Sequence, residues 1–503
     1  MGIVRRQSFW STLAAYSGSA LGYLNWGLIL PNIMSLQYFG LLKLIYDVSY
    51  FFSGFAHLGV YPTITKFYPY AKTEDKKNSG LLSYALLHGM AGAIIFVILA
   101  MVFRDYITSF YEEKSPVFGD YFGFVIPLTV YYIFFGLLYT YCFSFFKSVF
   151  PNYIKDVILR LLILLPVGYY YYSKPDLSDF FIAFTGVHYV SLFMLIVYIY
   201  QLGYFKLESP SELLKKVSLR EINKYAGSNI LIGTGGIMIK YIDTIMVSAM
   251  LGLGSTAIYG LAFMIAAVIE QPKQAMFKVT VPLVADYWKK KEWDKINELY
   301  QKTSLNLLII ALFLALNIVI NLKEIYSFLP PEYLSGLNVV LIILSAKVIY
   351  MTFGMTDELI QISDYYRYRF LITALVLVSV VASNYLLIPI MGIEGAALGT
   401  FMSMLFQQIA LSTYLKIKLH LNPFSIPQFW IILLCISIAS PFYFLILPIA
   451  SAMLSIVFKS AIMSSLLIGA IYFSKVSKEF NDTYNAIMKK LIGLIKRRNE
   501  LGE

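Results

Sequence analysis

The chain has 503 residues, of which 59% are hydrophobic and only 14% charged, with a mean hydropathy of +0.69 and a formal charge of +11. That balance excludes a soluble globular protein and a disordered one, because too few polar side chains are present to cover a water-facing surface. Apolar runs of about 20 residues recur with short connections and without the period-two alternation of a barrel, so the predicted class is an all-α polytopic membrane protein.

Hydropathy windows place fourteen spans, at 9–31, 36–61, 81–103, 119–142, 150–172, 179–202, 223–249, 255–282, 303–322, 336–362, 370–389, 394–415, 427–447 and 451–474. The first follows Arg5 and Arg6 and runs to Pro31, too long for a signal-peptide core, and reads as a retained span. Cys142 and Cys435 both fall in or beside apolar segments, which supports neither a disulfide framework nor a metal cluster. With the N-terminus inside, 29 of the 40 Lys and Arg residues fall on inner segments and 4 on outer ones. That bias predicts a multi-pass membrane protein with both termini cytoplasmic. It also accounts for the net charge through membrane lipid, without any nucleic-acid partner. In the tail, Ile487, Leu491, Ile492, Leu494 and Ile495 alternate with Lys489, Lys490, Lys496, Arg497 and Arg498, the pattern of a basic amphipathic helix lying on the inner surface.

Residues 223–282 hold two long apolar segments joined by Leu251-Gly252-Leu253-Gly254, with Lys240, Asp243, Glu270, Lys273 and Lys278 set into them. An ionisable group at such depth costs roughly 2.5–3.5 kcal/mol on insertion scales and is kept, as a rule, where it faces a cavity, an ion or another charge. Shifting the chain by 220 positions lays Tyr38-Phe39-Gly40-Leu41 on Ile258-Tyr259-Gly260-Leu261, and Pro62 on Pro282. Two six-span halves related by a pseudo-twofold axis along the membrane normal are therefore expected, with two spans added. The corresponding division is an N-terminal lobe at 1–205, a C-terminal lobe at 206–422, the added spans at 423–475 and the tail at 476–503.

Several stretches carry a resemblance: Ser35-Leu36-Gln37-Tyr38-Phe39-Gly40-Leu41-Leu42; His57-Leu58-Gly59-Val60 with Lys66-Phe67-Tyr68-Pro69; Tyr241-Ile242-Asp243 with Leu251-Gly252 and Ile258-Tyr259-Gly260-Leu261-Ala262; and Asn384-Tyr385-Leu386-Leu387-Ile388-Pro389 running into Gly392 to Thr400. In this order and spacing the chain resembles the O-antigen type flippases of lipid-linked oligosaccharides, in the superfamily that also holds the multidrug and toxin extrusion transporters. The resemblance implies two lobes around a central cavity open alternately to either side. It also implies transport of a polyprenyl-diphosphate-linked glycan to the outer leaflet for O-antigen, capsule or exopolysaccharide synthesis. A functional monomer is implied, associated with polysaccharide polymerase and assembly proteins, without a cofactor and with possible coupling to a Na+ or H+ gradient. Family members often carry Arg after the span 7 Asp; here Thr244 stands there, and Lys240 would supply the charge one turn earlier.

A diphosphate cannot cross hydrocarbon unaided, so such a transporter should offer cations in a wet cavity. The candidates are Lys43, Arg160, Lys240, Lys273 and Lys347, whereas Lys278 and Lys459 lie close enough to span ends to snorkel. Asp47, Asp243 and Glu270 would balance them or couple an ion. Lys43 with Asp47 and Asp156 with Arg160 are at i, i+4; Lys240 with Asp243 and Glu270 with Lys273 are at i, i+3. These same-face pairs either neutralise each other for insertion, the favoured reading in span 5, or serve transport, the favoured reading in spans 2, 7 and 8. Gln271-Pro272 predicts a bend in span 8. Asp357-Glu358 reads as a wet interfacial pair, Tyr169 to Tyr172 as an interfacial belt, and His57, His88 and His188 as isolated.

Two other functions compete. A cation-coupled multidrug or metabolite exporter of the same fold is opposed by the two added spans. A membrane polysaccharide polymerase or ligase is opposed by short outer loops and the lack of a nucleophile–base constellation.

Overall fold

The computed structural model describes residues 2–500 except 74, 76, 77, 364 and 445–450. Every regular element among the described residues is helical, as required where no water is available to satisfy stray backbone groups. Two compact units emerge, one comprising Met1–Met264 and Thr373–Gly399, the other Ile265–Ile372 and Thr400–Glu503.

In the first unit, α1 (Gly2–Leu24) runs through a π-helical turn, Asn25–Ile29, into a last short turn, Leu30–Ile33. Ser35 caps α2 (Leu36–Ala56) by accepting from the backbone N–H of Tyr38 at 3.3 Å. After a break at His57 to Gly59 come α3 (Val60–Ala71), α4 (Leu81–Val102) and α5 (Val125–Ser144). A second π-turn, Ile154–Ile158, leads into α6 (Leu159–Ser173), followed by α7 (Leu177–Gln201), α8 (Leu219–Leu251) and α9 (Leu253–Ala267). Helix α2 packs against both α5 and α8. Phe67, Tyr131, Leu137, Tyr141 and Ile199 fill a core nearby, its hydroxyls satisfied by Asn78 (on Tyr141, 2.9 Å) and Ser191 (on Tyr131, 3.0 Å).

The second unit begins with α10 (Gln271–Lys290), α11 (Trp293–Ile320), α12 (Leu322–Tyr326), α13 (Leu337–Thr352) and α14 (Thr356–Ile362). Helix α15 (Tyr366–Leu419) starts and ends in this unit and lends its middle to the first; α16 (Ile426–Phe444), α17 (Ala452–Ser474) and α18 (Lys478–Glu500) complete it. Leu308, Ile431, Met463 and Leu467 join α11, α16 and α17 in one apolar core.

Among the described residues, nine helical segments are long and apolar enough to cross a membrane. Predicted spans 11 and 12 lie within one of them, Arg367–Leu419, whose helix is interrupted at Gly392 with φ +60° and ψ −137°. That conformation is strained for any residue with a Cβ. Predicted spans 1, 2 and 5 are helices at the expected places, but π-turns interrupt spans 1 and 5, and Lys43 and Asp47 dilute the apolar run of span 2. Span 13 forms a shorter apolar helix, Ile426–Phe442, and its predicted end at 447 lies outside the described residues. The tail is helical as expected, although the side chains of Ile487, Leu491, Ile492, Leu494 and Ile495 also lie outside the described set.

Lys459 departs from the snorkelling expectation. Its ammonium pairs with Glu324 on α12 in a largely buried contact, and Ser455 adds a hydrogen bond to the same carboxylate at 3.2 Å. The neighbouring Asn321 donates to Ser460 at 2.9 Å. At the other end of α11, Ser477 bonds Asn306 at 3.1 Å and Lys302 pairs with Glu479 at 3.0 Å. Helices α17 and α18 are thus tied to α11 and α12 by polar contacts at both ends. Removing one partner of a buried ion pair leaves the other uncompensated. Glu324→Ala should therefore lower stability by on the order of 3 kcal/mol, while Glu324→Leu with Lys459→Met should recover most of it; thermal unfolding of the purified protein in detergent measures both.

Candidate functional site

In the first unit the polar side chains gather on one face of α2. Lys43, Tyr46, Asp47 and Tyr50 follow the i, i+3, i+4, i+7 spacing that aligns residues along a helix. Lys43 pairs with Asp47, whose side chain is only 1% exposed, and its stem runs past Gly260, where a Cβ would come within 3.0 Å of it. This is the one expected intrahelical pair that the ion pairs described here reproduce. Rings continue the face into neighbouring helices: Trp26 to Tyr46 at 5.1 Å, Tyr46 to Tyr132 at 5.8 Å, Tyr132 to Tyr50 at 5.0 Å and Tyr50 to Tyr241 at 5.2 Å.

Arg160 does not pair with Asp156. Its guanidinium donates to the carbonyl of Gly18, Asn25 donates to its own carbonyl at 2.6 Å, and Asp156 turns to Lys155 at 3.7 Å. A Cβ at Gly22 would stand 1.5 Å from the guanidinium, so only glycine leaves room for this side chain against α1. Both partners flank π-turns, which displace the regular backbone pairing and leave polar groups for side chains to satisfy. Arg160 is thereby committed to joining α1 and α6.

Asp243 is 2% exposed and accepts from Asn384 at 2.7 Å and from Tyr259 at 3.0 Å. Lys240 is exposed, with its ammonium 5.2 Å from the ring centre of Tyr241. Asn384 is a residue that charge counting passes over, although it opens one of the stretches that carry the family resemblance.

In the second unit, the Gln271-Pro272 bend takes a definite form. A 3-10 turn, Val268–Glu270, precedes α10, and Pro272 sits in its first turn where a missing N–H does least harm. Glu270 does not reach Lys273; it pairs instead with Lys347 on α13 at 2.8 Å. One turn further along both segments, the Lys273 ammonium lies over the ring of Tyr350, 3.6 Å from its centre. The two contacts form successive rungs, one ionic and one cation–π. Lys273 is 5% exposed and its Nζ has no hydrogen-bond partner among the described residues.

Asp357 and Glu358 are not the wet interfacial pair that the sequence suggests. Asp357 is 6% exposed, accepts from Gln408 at 3.0 Å and Gln407 at 3.5 Å, and lies 3.8 Å from Arg369. The Oε2 of Glu358 is shielded and has no hydrogen-bond partner among the described residues. Lys278 is exposed, in keeping with a snorkelling lysine. The three histidines serve local structure: His57 accepts from the Gly59 N–H at 2.9 Å, while His88 and His188 contact the carbonyls of Leu58 and Phe184 at 3.0 and 2.7 Å.

This assembly of apolar helices with buried ionic rungs has the fold of a transporter. Its structure is similar to that of a lipid II flippase, MurJ, in an inward closed conformation, with a TM-score of 0.71 at 13% identity over 92% of this chain and 99% of that one. It is also similar to an inward-facing multidrug resistance transporter of the MATE family, with a TM-score of 0.62 at 12% identity over 81% of this chain and 98% of that one. A MOP superfamily transporter from Pyrococcus furiosus follows, with a TM-score of 0.57 at 14% identity over 83% and 95%. These likenesses show a fold shared with those transporters. A family model described as "Polysaccharide biosynthesis protein" matches residues 4–288, more than half of the chain, and the chain belongs to that family. No curated protein matches it in sequence.

The two rungs make opposite demands on stability. Lys347→Met removes the partner of Glu270 and should cost about 2–3 kcal/mol, because a partly buried carboxylate loses its counter-charge. Lys273→Met breaks no hydrogen bond and nearly conserves volume, so it should cost less than about 1.5 kcal/mol. Thermal unfolding of the two variants side by side checks the difference; equal losses would refute the assignment.

Proposed function

We propose that the chain is a flippase that carries a polyprenyl-diphosphate-linked oligosaccharide from the cytoplasmic to the outer leaflet by alternating access, for synthesis of an envelope polysaccharide. The observation that carries this reading is a buried cation without a hydrogen-bonding partner among the described residues: Lys273, 5% exposed, near the end of the apolar segment Leu253–Gln274. An unsolvated ammonium is retained at such cost where something polar must be bound. Membership of a polysaccharide biosynthesis family and the fold of a lipid-linked precursor flippase support the same substrate class.

In this reading Lys43, Lys240 and Lys273 recognise the diphosphate or the glycan, and Asp243, held by Asn384 and Tyr259, is the place for a coupling Na+ or proton. Fourteen crossings, two six-helix halves with two added spans, cytoplasmic termini, the bacterial inner membrane and a functional monomer complete the proposal. Arg160 and Lys347 keep structural duties through Gly18 and Glu270. A multidrug exporter is the second reading, because MATE transporters share the fold.

Liposomes containing only this protein should move a fluorescent polyprenyl-diphosphate oligosaccharide across the bilayer faster than empty liposomes, with a rate that responds to an imposed Na+ or proton gradient. Lys273→Ala should slow that movement about tenfold, the loss expected when one charge-assisted contact of about 1.4 kcal/mol is removed. Gradient-driven movement of small organic cations with no movement of glycolipid would overturn the flippase reading in favour of the exporter.

A further inference from the structure

The ionic cluster of the second unit is balanced, with Lys273, Lys347 and Arg369 set against Glu270, Asp357 and Glu358. Most of these charges are already engaged: Glu270 with Lys347 at 2.8 Å, and Asp357 with Gln408 at 3.0 Å and Arg369 at 3.8 Å. Two of its charged atoms have neither an ion pair nor a hydrogen bond among the described residues. The Nζ of Lys273 and the Oε2 of Glu358 are both shielded from solvent, and neither has a hydrogen-bond partner among the described residues. They stand on helices that pack together, α10 and α14, and Lys273 is the foremost counter-charge acting on Glu358. Their separation exceeds that of an ion pair, since no contact within 4.0 Å joins them.

A donor and an acceptor held apart in this way suit a group that is both acceptor and donor. A hydroxyl lying between them accepts from the ammonium and donates to the carboxylate. A diphosphate fits less well, because Glu358, Asp357 and Glu270 would repel it and it offers Glu358 no proton at neutral pH. The face of Tyr350, already beneath the Lys273 ammonium, supplies an apolar wall of the kind that the C–H face of a pyranose packs on.

We infer that Lys273 and Glu358, backed by Tyr350, form a subsite for a neutral sugar of the glycan, gripping a sugar hydroxyl rather than the diphosphate. The inference rests on the flippase reading and refines the role of Lys273 within it. Lys273 is the donor, Glu358 the acceptor, and the Glu270–Lys347 and Asp357–Gln408 contacts hold the surrounding charges in place.

The test is a binding comparison on the purified full-length chain in detergent, with three probes: a polyprenyl diphosphate without sugar, the same lipid bearing one neutral hexose, and that glycolipid with its sugar per-O-methylated. In the unmodified protein the sugar should tighten binding about tenfold over the bare lipid, roughly 1.4 kcal/mol, and methylation should abolish the gain by removing the hydroxyl donors. Glu358→Gln and Lys273→Met should each bring the ratio of the two affinities close to one. The methylation arm needs no variant, so the inference stays testable if a substitution impairs folding. A ratio that persists in both variants, or a gain that survives methylation, would overturn the subsite while leaving the flippase reading intact. No binding of any of the three lipids would overturn both.

Discussion

The cost of an ionic group in apolar surroundings governs this molecule. Water is not at hand to solvate a charge inside a bundle of apolar helices, so most are answered by another group of the protein, and the answering groups decide which helices adhere. Most answers come from another helix. Glu270 turns to Lys347, Glu324 to Lys459, and Asp243 to Asn384 and Tyr259. Arg160 is answered by the backbone of α1 instead of by a carboxylate. Lys43 pairs with Asp47 one turn apart on α2 instead. Intrahelical pairing neutralises a charge but fixes nothing; pairing between helices also sets their register, and the second arrangement prevails here.

The class of fold is legible in the sequence because hydrophobic windows need only local information. The predicted windows lie largely on helices where the residues are described, although turns at His57–Gly59 and Phe353–Met355 break the second and tenth, and the bend at Pro272 appears as a 3-10 turn. Partners are far less legible. Lys273 stands three residues from Glu270, and same-face spacing suggests that they meet; the turn at Val268–Glu270 and the placement of Lys347 and Tyr350 on α13 send each to a different rung. Nothing within ten residues of Glu270 announces Lys347. Asp357-Glu358 misleads for the same reason: two adjacent acids near a span end look wet until Gln407, Gln408 and Arg369 arrive from α15 to enclose one of them. Asn384 escapes notice because an uncharged amide raises no alarm in a charge count.

Several of the departures from regular helix geometry lie beside these polar groups. One π-turn begins at Asn25, which bonds Arg160; the other contains Asp156 and ends two residues before Arg160. The 3-10 turn ends on Glu270, and the Gly392 interruption lies eight residues beyond Asn384 on the same helix. In an unbroken helix, residues three apart share a face and compete for the same partner. A local change of pitch rotates one relative to the other and frees backbone groups for side chains to satisfy. Irregular turns are therefore the means by which a chain short of polar residues points each in a separate direction. The same turns are the weakest points of their helices, since they carry fewer regular backbone bonds. Under the proposed function, a change of shape that keeps these charges away from lipid would bend there, pivoting about contacts that are already polar and leaving the apolar faces between them intact.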